Sequence, residues 1–337
     1  MLVLDAEAVR SLYPMKESIE LMRSALRLFS SENVIQPQRL MLRTPSGDAY
    51  AVMPAYVGSS GDMPHGGFGI KIIAVKPSNP QIGLPVNSGF VMVFDERTGR
   101  LDALLDGATI TAIRTAAVSG VATDLLARSD ASTVAIVGAG VQARSHLEAM
   151  AAVRPLRHAR IWSRTAERAL ALAESAHDLP FPVNAVSSVA EATADADIIC
   201  TVTGSTEPVL EDRHVMPGAH INAVGSSFPD KRELASELVA RCSVFVDSRS
   251  AALIEAGDIG VPIAQGLLSP EAIKAEVGEV LLGRSPGRCG PAETTLFKSL
   301  GLATEDTLSG LHIAQRAREL GVGREVAFPE HEEPGEA

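Results

Sequence analysis

The stretch "TVAIVGAG" (133–140) limits the possible folds more than any other part of the chain. It is an apolar, β-branched run that ends in two closely spaced glycines, and a helical pattern over about 141–153 follows. Together they spell G-x-G-x-x-A, with Gly138, Gly140 and Ala143 at the fixed positions. The spacing alone is weak. Placed after a strand and opening a helix, it has the context that a dinucleotide-binding turn needs. Gly138 permits the tight turn, Gly140 lets the backbone approach a pyrophosphate, and Ala143 allows the helix to pack closely on the strand. The helix start, at Val141 and Gln142, offers free N–H groups and the positive dipole end to phosphates.

Further strand and helix patterns alternate beyond it. "ARIWS" (159–163), "PVNAVS" (182–187), "DIICTVTG" (197–204), "HINAVG" (220–225) and "VFVDS" (244–248) read as strands, and "AERALALAESA" (166–176) as a helix. Nearly continuous apolar strands separated by helices predict a parallel sheet covered on both faces. The first ~120 residues differ. "DAYAVMPAYVG", "GFGIKIIAVKP" and "GFVMVFDERTGRLDALLDG" read as strands joined by Gly- and Pro-rich turns, with "ERTG" as a hairpin and a helix at about 15–30 before them. A long helical pattern (109–128) leads into the parallel-sheet part, and the last helix, "DTLSGLHIAQRARELG", is expected to return to the first domain. The fold class is therefore α/β. A Rossmann-type parallel-sheet domain is expected over 120–305, with a discontinuous α/β domain over 1–119 and 306–337.

Composition narrows the partners. The 337 residues carry a net charge of −11 with scattered basic residues, which argues against nucleic acid or an anionic membrane surface. No stretch approaches the ~18 uninterrupted apolar residues of a membrane span. The N-terminus has Asp5 and Glu7 where a signal peptide needs an apolar core. Cys200, Cys242 and Cys289 lack metal-ligand spacing, so no metal is expected, and their odd number without a framework fits a reducing cytoplasm. Cys200 reads as a core residue. The tail "FPEHEEPGEA" is acidic and is expected to fray.

The end of the second strand bears on the choice of dinucleotide. NAD sites place an Asp or Glu about 20 residues after the glycines. Here "IWSRTAER" puts Ser163, Arg164 and Thr165 at that place. A guanidinium and two hydroxyls suit the 2′-phosphate of NADPH, with NADH a weaker ligand. The alternative makes Ser163 and Thr165 helix caps and Arg164 a solvated side chain. Thr203, Gly204, Val224 and Gly225 end the fourth and fifth strands, where nicotinamide and ribose sit in such sheets.

Taken together, "GFGIKIIAVKPSNP", "ITAIRTAAVSGVAT", "VAIVGAGVQARSH", "INAVGSSFPDKREL" and "TLFKSLGLATED" resemble the ornithine cyclodeaminase/mu-crystallin family over nearly the whole length. The resemblance implies a Rossmann domain plus a substrate-binding domain that forms a homodimer. It also implies that Arg39 ("QPQRLMLR") and Arg114 ("TAIRTAA") bind a substrate carboxylate, and that Lys71 ("GIKIIAVK") lies near the carboxylate and the reacting carbon. Arg43 offers an alternative alignment for Arg39. Such a clamp suits a small anionic imino or amino acid. Met53, Ser88 and the "KSLG" segment (298–301), including Ser299 and Leu300, are expected to line the pocket and the cofactor site.

Cyclodeaminases and related alanine dehydrogenases of this family carry an Asp in the loop after the fifth strand. The matching position here is Ser227, with Asp230 three residues on, as in the mu-crystallin-like reductases. A serine without an activating partner is no base near neutral pH. Reduction of a C=N bond needs only a proton donor or a positioned water, a role open to Lys71. The expected activity is reduction of pyrroline-2-carboxylate or piperideine-2-carboxylate to L-proline or L-pipecolate. The alternatives are an ornithine cyclodeaminase, an alanine or N-alkyl amino-acid dehydrogenase, or an NADP-binding crystallin-like protein without turnover.

Overall fold

The computed structural model describes residues 1–58 and 66–327, so the acidic tail lies outside the described residues. Its strands in chain order are β1 (Leu2–Leu4), β2 (Val34–Ile35), β3 (Leu40–Arg43), β4 (Ala49–Val57), β5 (Gly67–Val75), β6 (Asn87–Phe94), β7 (Leu101–Asp106), β8 (Thr133–Val137), β9 (His158–Trp162), β10 (Val183–Ala185), β11 (Ile198–Thr201), β12 (His220–Ala223), β13 (Ser243–Val246), β14 (Ile273–Glu276), β15 (Thr295–Lys298) and β16 (Arg324–Glu325). The chain divides into two compact units. One holds Met1–Tyr13, Ile35–Ile110 and the residues from Asp306 on; the other holds Pro14–Val34 and Thr111–Glu305.

The second unit is built on an eight-stranded sheet in the order β10-β9-β8-β11-β12-β15-β13-β14, parallel throughout. From β8 the chain winds outward through β9 and β10, then crosses to β11 on the other side. The order therefore reverses between β8 and β11, which opens a crevice at their carboxyl ends. Apolar residues on both faces explain the uninterrupted strand sequences. Ile199, Ile221 and Val244 enter one cluster, while Val134, Ile136, Ile198 and Cys200 enter the other with Leu147 and Met150. β15 was not read as a strand from sequence, yet it lies centrally between β12 and β13.

The helix Met15–Ser30 groups with this unit, although its place in the chain suggested the first domain. It buries Ile19, Met22, Ala25 and Leu26. Gly278 crosses it so closely that a Cβ there would lie 2.1 Å from the Leu26 carbonyl, and Arg284 donates to the Ser30 carbonyl at 2.7 Å. The helix Gly107–Leu126 is continuous through the other division point, so residues 111–119 also join the second unit.

The first unit is a mixed sheet in the order β16-β1-β7-β6-β5-β4-β2, with β3 on β4. The "ERTG" hairpin forms as read: the Asp95 carboxylate accepts from the Thr98 N–H and hydroxyl at 2.7 and 2.6 Å, and Gly99 takes a left-handed φ of 69°. Alternate residues of β4 and β5 are buried, the β5 series being Gly67, Gly69, Lys71 and Ile73. That face meets the helix Ala303–Leu320. A Cβ on Gly69 would lie 2.5 Å from the Thr307 hydroxyl, and one on Gly310 2.7 Å from Val93. The other face is also apolar but half open, with Leu40, Leu42, Tyr50 and Phe90 exposed.

Candidate active site

The glycine turn after β8 has the shape its sequence requires. Gly138 has φ 121°, and a Cβ there would stand 2.9 Å from the Val202 carbonyl, so a larger residue is excluded on both counts. Gly140 caps the helix Val141–Val153 with no side-chain bond, and nothing lies within 4 Å of where its Cβ would be. That open side and the unpaired helix N-terminus fit a pyrophosphate. Ala143 is fully buried against the sheet and Val141 is exposed. The Gln142 amide donates to the Thr111 carbonyl at 3.3 Å, while its buried Oε1 has no partner among the described residues. Behind the turn, His146 links the Gln142 carbonyl and the Ser119 hydroxyl at 2.8 and 3.0 Å; burial pushes its pKa down to about 4, so it is neutral.

At the end of β9, Thr165 is the N-cap of the helix Ala166–Ser175 but makes no side-chain capping bond. The Ser163 hydroxyl accepts from the Thr165 N–H at 3.3 Å. Arg164 is exposed and has no ion pair among the described residues. The hydroxyl of Thr165 and the guanidinium of Arg164 are thus not consumed by local structure.

Thr203 and Gly204 follow β11, which borders the crevice, and Val224 and Gly225 follow the neighbouring β12. They are tied by a residue that sequence reading missed, the fully buried Glu233. Its Oε1 accepts from the Thr203 N–H (2.6 Å) and hydroxyl (2.7 Å), and its Oε2 from the Thr201 hydroxyl (2.9 Å) and the Gly225 N–H (2.7 Å). Asp258 in turn accepts from the Glu233 and Leu234 N–H groups and from Lys298 Nζ at 2.9 Å. Burial and the neighbouring Asp258 push the Glu233 carboxyl above its ordinary pKa, against the pull of Lys298 and the Thr203 donors. Lys298, the first residue of "KSLG", is spent in this pair and lines no open pocket.

The loop between carries Ser227 and Asp230. The Ser226 hydroxyl donates to the Lys231 carbonyl at 2.5 Å, and Gly257 packs so tightly that a Cβ would lie 2.1 Å from the same carbonyl. Within this pinned loop Ser227 is half-buried and Asp230 is exposed.

Arg114 lies on the helix Gly107–Leu126 and is buried. Its Nη1 donates to Glu305 at 2.9 Å, and its guanidinium packs on Gly301, which has φ 82° and no room for a Cβ. Asp247 fixes that turn by accepting from the Leu300 and Gly301 N–H groups at 2.5 and 2.6 Å. The structure thus brings Arg114 together with the segment containing Ser299 and Leu300.

In the first unit, Lys71 stands at the centre of β5 on the buried face. Its Nζ donates to both oxygens of Asp306, at 3.0 and 3.2 Å, and both side chains are almost wholly buried. Met53 is its cross-strand partner on β4. Ser88 is not with them. It pairs with Ala74, three residues from Lys71, and the two-residue repeat of a strand puts it on the opposite face, exposed. Arg39 lies half-buried just before β3. Sequence reading also missed the two acids Glu305 and Asp306. The visible signal was a pair of adjacent carboxylates within the otherwise uncharged "GLATEDTLSGL".

Residues 1–320 match the model of the ornithine cyclodeaminase/mu-crystallin family. The chain is 40% identical over 330 residues to a Delta(1)-pyrroline-2-carboxylate reductase of Bacillus cereus, covering 97% of this chain and 100% of that one. It is 42% identical over 277 residues to the ketimine reductase mu-crystallin of Mus musculus, covering 82% and 83%. The solved structure of Thermococcus litoralis Delta(1)-pyrroline-2-carboxylate reductase in complex with NADH and L-proline superposes with a TM-score of 0.93 at 36% identity, covering 97% of this chain and 100% of that chain.

Proposed function

The chain belongs to the ornithine cyclodeaminase/mu-crystallin family, and we propose that it reduces a small cyclic ketimine carboxylate, pyrroline-2-carboxylate or piperideine-2-carboxylate, to L-proline or L-pipecolate, with NADPH preferred over NADH. The observation that carries the choice of chemistry is Ser227, a hydroxyl on the pinned loop where cyclodeaminases have a carboxylate. The names of the relatives, matched over 97% and 82% of this chain, support the same reaction.

The nicotinamide, when bound, supplies the hydride. The protein's residues bind and orient the acceptor. A cyclic imine protonated at nitrogen, with Lys71 as the donor where it arrives neutral, is electrophilic at carbon. Hydride adds there, the C=N electron pair moves to nitrogen, and the amine keeps its proton. Lys71, held by Asp306, supplies a cation for the substrate carboxylate, with Arg39 as a further ligand; the family resemblance implies the same role for Arg114, which Glu305 and Gly301 steady. The decisive experiment follows NADPH oxidation with the two cyclic ketimines and ammonia release from L-ornithine. Turnover of a ketimine without ammonia release is expected; ornithine deamination without ketimine reduction would overturn the proposal.

The cofactor preference rests on Ser163, Arg164 and Thr165. Arg164→Asp is expected to weaken NADPH by roughly ten- to a hundredfold, the worth of one charge-assisted contact, and to leave NADH unharmed. Equal affinities for the two cofactors in the unmodified protein would remove the basis for the preference.

The protein is also proposed to be a homodimer, joined through the open face of the first sheet. Leu40, Leu42, Tyr50 and Phe90 are exposed on that face, and clustered exposed apolar side chains favour an interaction surface. Phe90→Asp is expected to halve the mass measured by light scattering. An unchanged dimer would place the interface elsewhere. All three cysteines are free, which supports a reducing compartment such as the cytoplasm. No helix among the described residues is long and apolar enough to cross a membrane.

A further inference from the structure

We propose that Glu233 is a positioning residue for the nicotinamide half of the cofactor, acting through the backbone at the ends of β11 and β12. The inference rests on the nucleotide site proposed above and adds a residue to it.

The ladder between β11 and β12 ends with the Val224 and Gly225 N–H groups both reaching the Thr201 carbonyl, at 2.9 and 3.2 Å. Beyond that point nothing in a parallel sheet holds two strand ends together. Here one buried carboxylate does so, receiving a backbone N–H from each side, Thr203 on one and Gly225 on the other, plus two hydroxyls. The fit is tight: a Cβ on Gly225 would lie 2.1 Å from the Thr203 carbonyl and 2.6 Å from Glu233 Oε1. On the Thr203 side, Gly138 of the phosphate turn rests on the carbonyl of Val202 and the methyl of Thr203. The opposite sides of Gly140 and Gly204 are open, with nothing within 4 Å of where a Cβ would be. Glu233 therefore forms the support beneath a surface whose upper side is left clear at the topological switch point.

The arrangement also explains why a carboxylate is used. Each oxygen accepts from a backbone N–H that cannot rotate away. A glutamine in this place would turn its NH2 toward either Thr203 N–H or Gly225 N–H, and donor would face donor in both orientations. Two equivalent acceptors give both strand ends a short bond, 2.6 Å to Thr203 N–H and 2.7 Å to Gly225 N–H. The Asp258–Lys298 pair behind it fixes the Glu233 backbone.

The test compares Glu233→Gln with the unmodified protein, measuring by calorimetry the binding of NADPH and of 2′,5′-ADP, which lacks the nicotinamide half. The expected result is a tenfold or greater loss of NADPH affinity with 2′,5′-ADP within about twofold, since the adenosine side rests on Ser163, Arg164 and Thr165. Equal loss of both ligands, or loss of neither, would overturn the role. If Glu233→Gln does not fold, Thr201→Val removes one donor to the carboxylate without touching either backbone bond. It should show a smaller loss, about threefold, with the same selectivity, and no selectivity there would equally overturn the proposal. Binding of 2′,5′-ADP by the unmodified protein keeps the nucleotide site standing even where Glu233 fails. Binding of neither ligand by the unmodified protein overturns both.

Discussion

Lys71→Met is expected to lower kcat/KM for the cyclic ketimine by about a thousandfold or more. Loss of a charge-assisted contact to the substrate carboxylate accounts for roughly 1.5–3 kcal/mol, and loss of a nearby proton donor for about 10²–10⁴ in rate. The substitution also takes the ammonium away from the buried Asp306 carboxylate, both of whose oxygens accept from Nζ. Part of any loss is therefore stability, because an uncompensated buried charge costs about 3–5 kcal/mol. The double variant Lys71→Met/Asp306→Asn separates the effects. It should regain thermal stability and remain as inactive as the single variant. NADPH binding should stay within about threefold in both, since every residue of the phosphate turn and of the strand ends lies in the other unit. Near-full activity in a folded Lys71→Met variant would mean that the cation performs neither role.

Lys71 shows why part of this site was legible in the sequence. In "GFGIKII" the buried positions alternate, and the lysine occupies one of them between Gly69 and Ile73. A charge on the core face of a strand is costly unless it has a partner or a function, which gives a physical reason for the residue that the family resemblance implies. The glycine turn was legible for a similar reason: Gly138 and Gly140 serve backbone geometry that acts within a few residues of themselves. The partners of these residues were hidden. Asp306 lies 235 positions from Lys71, and Glu305 lies 191 from Arg114. Nothing local tells an acid at a helix start that it will be buried against a distant cation. Glu233 was hidden in a loop that reads as solvated, "FPDKREL", where one of four charged residues turns inward. Ser88 shows the opposite error. The family resemblance implied a pocket residue, but the register of β5 and β6 puts Ser88 on the face opposite Lys71. β15 was missed although it is no shorter than β11, β12 and β13, and its central place depends on a crossover that returns between β12 and β13.

The second large effect is one of stability, at Lys298. This residue ends β15, flanked by Ala223 of β12 and Val246 of β13, and it is fully buried with Asp258. Lys298→Met leaves Asp258 with the Glu233 and Leu234 N–H donors but without its cation. It also strips the cation from the side of the Glu233 carboxylate, which already feels Asp258 as a like charge. The expected cost is about 3–5 kcal/mol, which for a chain of this size lowers Tm by on the order of 10 °C. Asp258→Asn in the same background should recover most of it. The amide oxygen still accepts from Glu233 and Leu234, and no unpaired charge remains buried. The two changes should therefore be strongly non-additive, with the double variant more stable than Lys298→Met alone. Because the pair anchors Glu233, the double variant also bears on ligand binding. If Tm returns while NADPH affinity stays low and 2′,5′-ADP affinity is normal, the ion pair supports the strand ends as well as the fold. A Lys298→Met protein that melts within about 2 °C of the unmodified one would show that Asp258 tolerates the loss, and that the anchor of Glu233 lies in its four acceptor bonds alone.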